Sequence, residues 1–261
     1  GRACLLLAAL MPLSYLPHFT LAELVPCVFA AIWVLFAIAL ATELFHPPIQ
    51  PDPAPVQRVH NRLFQEGEPA YKSFAVTPAG AVLSNPVTRP GAVSAASFLA
   101  DRFQFREELG SATVEEFAAR TRAVADLVAQ ESGSVQVFTA QQVTLRTLVN
   151  PRFFNDSREF LKAGMFGFDD QVEDFGREPQ LFGIRMVFPA SQEQPCAYSL
   201  RIESFSNDPR SVFIENQATY APILVTLGLE AVERNVLDAY EFLVGRALRF
   251  LGRFDSRQET P

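Results

Sequence analysis

The sequence predicts an α+β protein: an antiparallel sheet packed by helices, including a long C-terminal amphipathic helix, preceded by an N-terminal transmembrane helix. Three observations carry this expectation. Residues 24–42 form a run of 19 residues without a formal charge, bracketed by Glu23 and Glu43. From residue 113 onward, a capped helix gives way to segments in which apolar and polar residues alternate, the period of a half-buried strand. Between Leu229 and Leu251 the apolar spacing becomes helical.

The N-terminal elements come first. As a helix rising about 1.5 Å per residue, the run would reach roughly 28 Å, close to the hydrocarbon thickness of a bilayer. Residues 24–43 are therefore expected to be a transmembrane helix. Residues 1–23 form an apolar segment interrupted by Pro12 and Pro17, compatible with a truncated span, an interfacial segment or part of a signal-like region. The stronger run lacks a small-x-small cleavage site before its polar flank, so a retained anchor is the favoured reading. Arg2, Arg58 and Arg62 flank the apolar region, and the positive-inside rule then leans the soluble part toward the cytoplasmic face. Residues 44–57 read as a tether, with five prolines among residues 46–55 favouring an extended spacer.

The remainder, residues 58–261, reads as one soluble domain. Residues 56–65 suit a short helix, and residues 74–83 an edge strand or hairpin around Pro78 and Gly80. Thr113 and Glu116 have the spacing of a capping box; Phe117, Val124 and Val128 follow on one face, and Gly133 ends that helix. Val135, Val137, Val143 and Leu145 alternate as in strands. Asn155 or Asp156 can cap a short helix closed by Gly164. Phe182 to Phe188, Tyr198 to Ile202, and Val212 with Ile214 alternate again, the last two around a turn at residues 206–209. Leu229, Val232, Val236, Tyr240, Leu243, Ala247 and Leu251 make the stripe of a closing helix of about six turns. No internal repeat is visible, and the order of elements is loosely that of a helix-grip or cystatin-like arrangement.

Composition mainly excludes. The net charge is −7, from 29 acidic and 22 basic residues, and no basic stripe is present, so nucleic acid is not an expected partner. Cys4, Cys27 and Cys196 cannot make a disulfide framework or a four-cysteine zinc site. Cys196 is best read as a small core residue. His18, His46 and His60 are the three histidines, the last two expected to be solvated near the tether, so a domain beginning after them has no imidazole chemistry. Neither glycine-rich phosphate loop occurs. No cofactor is expected, and the balance leans away from an enzyme.

Two groups of residues remain as a candidate ligand or partner patch. Phe153, Phe154, Phe166 and Phe168 surround the short central helix, as core filling, an apolar pocket or an exposed docking patch. Arg201, Glu203 and Glu215 fall on one face of the predicted hairpin, placed for cross-strand ion pairing. Asp169, Asp170, Glu173 and Asp174 are weak candidates for a metal site, since their spacing matches no calcium loop. The expected function is a membrane-anchored, non-enzymatic binding or assembly module, with the bilayer (through residues 24–42) and a membrane protein as partners. An alternative is a carrier or sensor of a lipid or other apolar ligand in a sheet–helix cavity. A carboxylate-based hydrolase ranks third and requires two acidic side chains in one cleft.

Overall fold

The computed structural model describes residues 37–67, 70–87, 89–167 and 174–255. Its centre is a nine-stranded antiparallel sheet. In chain order the elements begin with β1 (Ala37–Phe45), α1 (Pro53–Gln65), β2 (Ser73–Thr77), β3 (Gly80–Ser84), β4 (Val93–Phe98), β5 (Arg102–Glu108) and α2 (Val114–Ser132). There follow β6 (Val137–Phe138), β7 (Ala140–Val149), α3 (Ser157–Glu159, continuing as a π-helical stretch Phe160–Phe166), β8 (Gly183–Phe188), β9 (Ala197–Ser204) and β10 (Val212–Tyr220). The chain closes with β11 (Ile223–Leu224), a 3-10 turn (Val225–Leu227), α4 (Glu230–Glu241), a second π-helical stretch (Phe242–Leu248) and α5 (Arg249–Gly252).

The strand order is β2-β3-β4-β5-β1-β7-β10-β9-β8, with β6 and β11 forming a separate pair. This order is built from one topology used twice. In the first half, β1 leads through α1 to the outer edge, and a meander returns until β5 pairs antiparallel with β1. In the second half, β7 leads through α3 to the opposite edge, and a meander returns until β10 pairs antiparallel with β7. Each half ends in a long helix, α2 or α4, and the two halves join where β1 pairs antiparallel with β7. The chain thus holds a structural repeat around an approximate two-fold axis between β1 and β7, although the sequence shows none.

The helices cover one sheet face. Helix α1 packs on β2, β3 and α2, α2 packs on β5 and α4, and α4 packs on β7 and β10. Alternation along each strand sends one set of side chains into this layer: Leu40 and Leu44 from β1, Phe103 and Phe105 from β5, Val143 and Leu145 from β7, Ile202 from β9, and Val212 and Ile214 from β10. Phe117, Val124 and Val128 of α2 and Val232, Val236 and Ala239 of α4 close the same cluster. Each fully buried large aliphatic side chain contributes about 1.5–3 kcal/mol.

Several local expectations hold. Thr113 and Glu116 form the capping box, with Glu116 N donating to Thr113 Oγ1 at 3.2 Å and Thr113 N donating to Glu116 Oε2 at 2.9 Å. Gly133 closes α2 at φ 62°, a conformation that glycine adopts without steric cost. The closing helix is continuous from Glu230 to Gly252, buries Leu229, Val232, Val236, Leu243, Ala247 and Leu251, and widens to π geometry in its middle. Cys196 is a buried free thiol, its pKa pushed up first by desolvation.

The N-terminal expectations change most. Ala37–Phe45 is a strand at the middle of the sheet, so the described end of the expected span, residues 37–42, is not helical. Residues 24–36 and the apolar segment 1–23 lie outside the described residues. Among the described residues no helix is long and apolar enough to cross a membrane. The expected tether is short: Asp52 caps α1 and Pro53 opens it, so the last prolines sit in its first turn, where a missing N–H costs nothing. The folded unit accordingly starts no later than Ala37, rather than at residue 58. His46 is 4% exposed rather than solvated, its Nδ1 hydrogen-bonded to Pro47 O at 2.9 Å and its ring edge-on to Phe103. His60 packs beside Phe64 and Phe74 with its Nε2 buried. The folded unit therefore does contain imidazoles.

Candidate functional site

With the described helices on one side, no described element covers the opposite face of the sheet, and strand alternation decides what it carries. From β1 it receives Ala39, Ala41 and Glu43; from β5, Arg102, Gln104, Arg106 and Glu108; from β7, Gln142, Thr144 and Arg146; from β10, Glu215 and Gln217; from β9, Ser199, Arg201 and Glu203. The two alanines of β1 are short, and the long polar side chains of β5, β7 and β10 rise around them. The result is a depression of about 310 Å³ over the middle of the sheet, floored by Ala39 and Ala41 and walled by charged and amide groups.

The wall is a chain of paired charges. Glu43 Oε1 accepts from Gln104 Nε2 at 2.8 Å and from Arg102 Nη1 at 3.3 Å. Arg106 donates from Nε at 2.9 Å and from Nη2 at 2.5 Å to Glu108 Oε1. Across β7 and β10, Arg146 Nε donates to Glu215 Oε2 at 2.7 Å, and these residues sit opposite each other in the register. Arg201 pairs with Glu203 on its own strand and lies 3.9 Å from the other oxygen of Glu215. The hydrogen bond it donates to Glu203 holds the Arg201 guanidinium above its already high pKa. Such surface pairs contribute about 0–1 kcal/mol each to stability, so they set the pattern of the face more than they hold the fold.

The expected patch thus divides. Arg201, Glu203 and Glu215 do share one face and are joined by ion pairs. The aromatic group belongs elsewhere: Phe154 packs on Phe160 at 5.3 Å and Phe166 on Phe182 at 5.3 Å, both against the helix-side core, while Phe153 is 45% exposed. Phe168, Asp169, Asp170 and Glu173 lie outside the described residues, and Asp174 is exposed. Among the described residues no group of three His, Cys, Asp or Glu is placed to hold a metal ion.

The sequence reading did not reach Glu43, Gln104, Arg106, Glu108, Gln142, Thr144, Arg146 or Gln217. For β7 the signal was present: the positions between Val143 and Leu145 are polar, and Gln142, Thr144 and Arg146 are the complement of the apolar alternation. For β1 it was hidden, because alanine on the open face keeps the run apolar throughout.

No protein family and no curated protein matches this sequence. The class it belongs to is thus defined by architecture alone: an α+β protein with a large antiparallel sheet, helices on one face and an open, charge-patterned opposite face.

Proposed function

We propose that this chain is a non-catalytic binding and assembly module that docks a protein partner on the open face of its sheet and is held at a membrane by the residues before Ala37. The observation that carries the reading is the balance of that face. Arg102, Arg106, Arg146 and Arg201 stand against Glu43, Glu108, Glu203 and Glu215, around a shallow, alanine-floored depression. A phosphate-rich polymer or an anionic bilayer calls for a surface of one sign, whereas a charge-alternating surface is complementary to another protein's. Attachment to the membrane rests on residues 3–36, which are mostly apolar and carry no formal charge apart from Glu23. Residues 24–36 alone would rise roughly 20 Å as a helix, short of a bilayer core, so the earlier segment has to contribute. The carrier reading has less support, since Val232, Val236, Ala239 and Leu243 share one packed cluster with Val143, Leu145 and Ile214.

A photo-crosslinking residue placed at Ala41 in the full chain, expressed in its native cells, tests the docking face. Crosslinking to a defined protein at Ala41 but not at exposed Glu230, lost in Arg146→Glu without a change in Tm, is the expected result. Equal crosslinking at the two positions refutes the docking face. Alkaline extraction of membranes tests the attachment independently, since release of the full chain into the supernatant rules it out.

A further inference from the structure

A second cleft, of about 560 Å³, opens on the other half of the molecule, between the ends of β3, β4 and β5 and the start of α2. Its floor is an ion pair. Arg120 Nη2 donates to Glu107 Oε2 at 2.7 Å, with the side chains only 19% and 7% exposed. The Arg120 guanidinium lies over the ring of buried Tyr71, 5.1 Å from its centroid, which fixes the plane of the fork. Gly110 sits directly beside this pair: a Cβ there would come 1.9 Å from Glu107 Oε1, so the carboxylate would have to move.

The floor is only half satisfied. A largely buried ion pair is stable when its remaining donors and acceptors are met. Yet Glu107 Oε1 accepts no hydrogen bond from a described residue, Arg120 uses Nη2 alone, and Arg120 Nε is buried without a partner. Lys72 and Arg89 line the same cleft, and neither is in an ion pair among the described residues. Glu116 also lines it, but its carboxylate is turned back onto Thr113 N at the start of α2. Glu107 balances Arg120, and with the Glu116 carboxylate counted, Lys72 and Arg89 leave the cleft one net positive charge in a chain whose net charge is −7.

We propose that this cleft binds a phosphate monoester bearing a neighbouring hydroxyl group. A phosphate monoester carries about 1.5–2 negative charges at neutral pH, which Lys72 and Arg89 can meet together, and its oxygens suit a guanidinium such as Arg120's as partner. The neighbouring hydroxyl donates to Glu107 Oε1, the acceptor left open beside Arg120. Glu107 thereby discriminates: it repels a bare anion and accepts one that brings a donor.

Calorimetric titration of the full chain in neutral detergent, with glycerol 3-phosphate and with inorganic phosphate as probes, tests the assignment. Saturable binding of glycerol 3-phosphate at least tenfold tighter than inorganic phosphate is expected. The Lys72→Gln/Arg89→Gln double variant, altered only at exposed positions, should lose at least tenfold in affinity with an unchanged Tm. Glu107→Gln, which keeps the hydrogen bond to Arg120, should narrow the preference between the two probes. A second arm distinguishes the source of the phosphate: tighter binding to mixed micelles of 1-acyl lysophosphatidic acid, whose hydroxyl beside the phosphate is free, than to glycerol 3-phosphate assigns a lipid headgroup, and the reverse order a soluble metabolite. The absence of heat with all three probes overturns the proposal. So does equal affinity in wild type and the double variant, or equal affinity for glycerol 3-phosphate and inorganic phosphate.

Discussion

Asn235 Nδ2 donates to Gln141 Oε1 at 2.8 Å, between two side chains that are 8% and 0% exposed. Gln141 passes the connection on, its Nε2 donating to Thr42 Oγ1 at 3.2 Å and to Val232 O at 3.0 Å. A single glutamine therefore ties α4 to β7 and β7 to β1 inside an otherwise apolar layer. This network also specifies register. A one-residue slip of β1 would exchange Thr42 for Ala41 or Glu43 against Gln141 and drive the glutamate into the core. Gln141→Ala leaves the Asn235 amide without its acceptor and Thr42 Oγ1 without its donor, and should destabilise by about 2–4 kcal/mol. Urea unfolding with an unchanged m-value checks it, and a cost below about 1 kcal/mol contradicts the network.

The position of β1 makes a prediction about fragments. A chain beginning at residue 58 lacks the strand that joins β5 to β7, and with it Leu40 and Leu44. It should not fold, whereas a chain beginning at residue 37 should show the dispersed amide spectrum of a native sheet. Leu44→Ala in the full chain should cost about 2–5 kcal/mol, as for any fully buried leucine. A folded 58–261 fragment contradicts the central placement of β1.

Gly80 opens β3 at φ +146°, and a Cβ there would lie 2.0 Å from the carbonyl oxygen of Phe98 on the neighbouring strand. Backbone cannot yield as a side chain tip can. Gly80→Ala should therefore destabilise by about 1–3 kcal/mol and expose the outer hairpin of β2 and β3 first. Hydrogen exchange across Ser73–Thr77 would register the change as faster exchange than at β7.

Tyr71 predicts an alkaline limit. Burial pushes its phenol from 10 up to about 12, with nearby Arg120 opposing and Glu107 adding to the rise. A folded pKa above the unfolded value means that stability is intact below about pH 10 and is lost as pH climbs from 10 through 12. The loss for this one group is about 2–3 kcal/mol. Tyr71→Phe removes the ionisable group and should leave stability at pH 7 within about 1 kcal/mol of wild type and flatten the alkaline arm. Tyr198 and Tyr220, also pushed up by burial, keep part of the slope. An unchanged alkaline arm in Tyr71→Phe refutes the assignment.

Legibility in the sequence followed from how far apart the interacting residues lie. The capping box at Thr113, the turn at residues 206–209 and the stripe of the closing helix are satisfied by neighbours a few positions away, and each stands where the sequence put it. Glu215 facing Arg146 depends on the pairing of two strands 69 positions apart, which no local pattern encodes. Arg201 and Glu203 were legible because they share a strand, and their union with Glu215 because the hairpin is local.

The apolar run at residues 24–42 shows the limit most sharply. A helix facing lipid and a strand at the centre of a sheet both call for continuous apolar sequence, and Ala39 and Ala41 on the open face of β1 erase the alternation that separates the two. By itself the sequence determined the class of fold, the capped helices and the terminal hairpin, because propensity and capping are local properties. The tertiary structure alone decided that β1 joins two halves of like topology, that eight paired charges line one face, and that Lys72, Arg89, Glu107 and Arg120 border one cleft. Those facts depend on strand order and register, where contacts distant in the chain compete and only the packed whole selects among them.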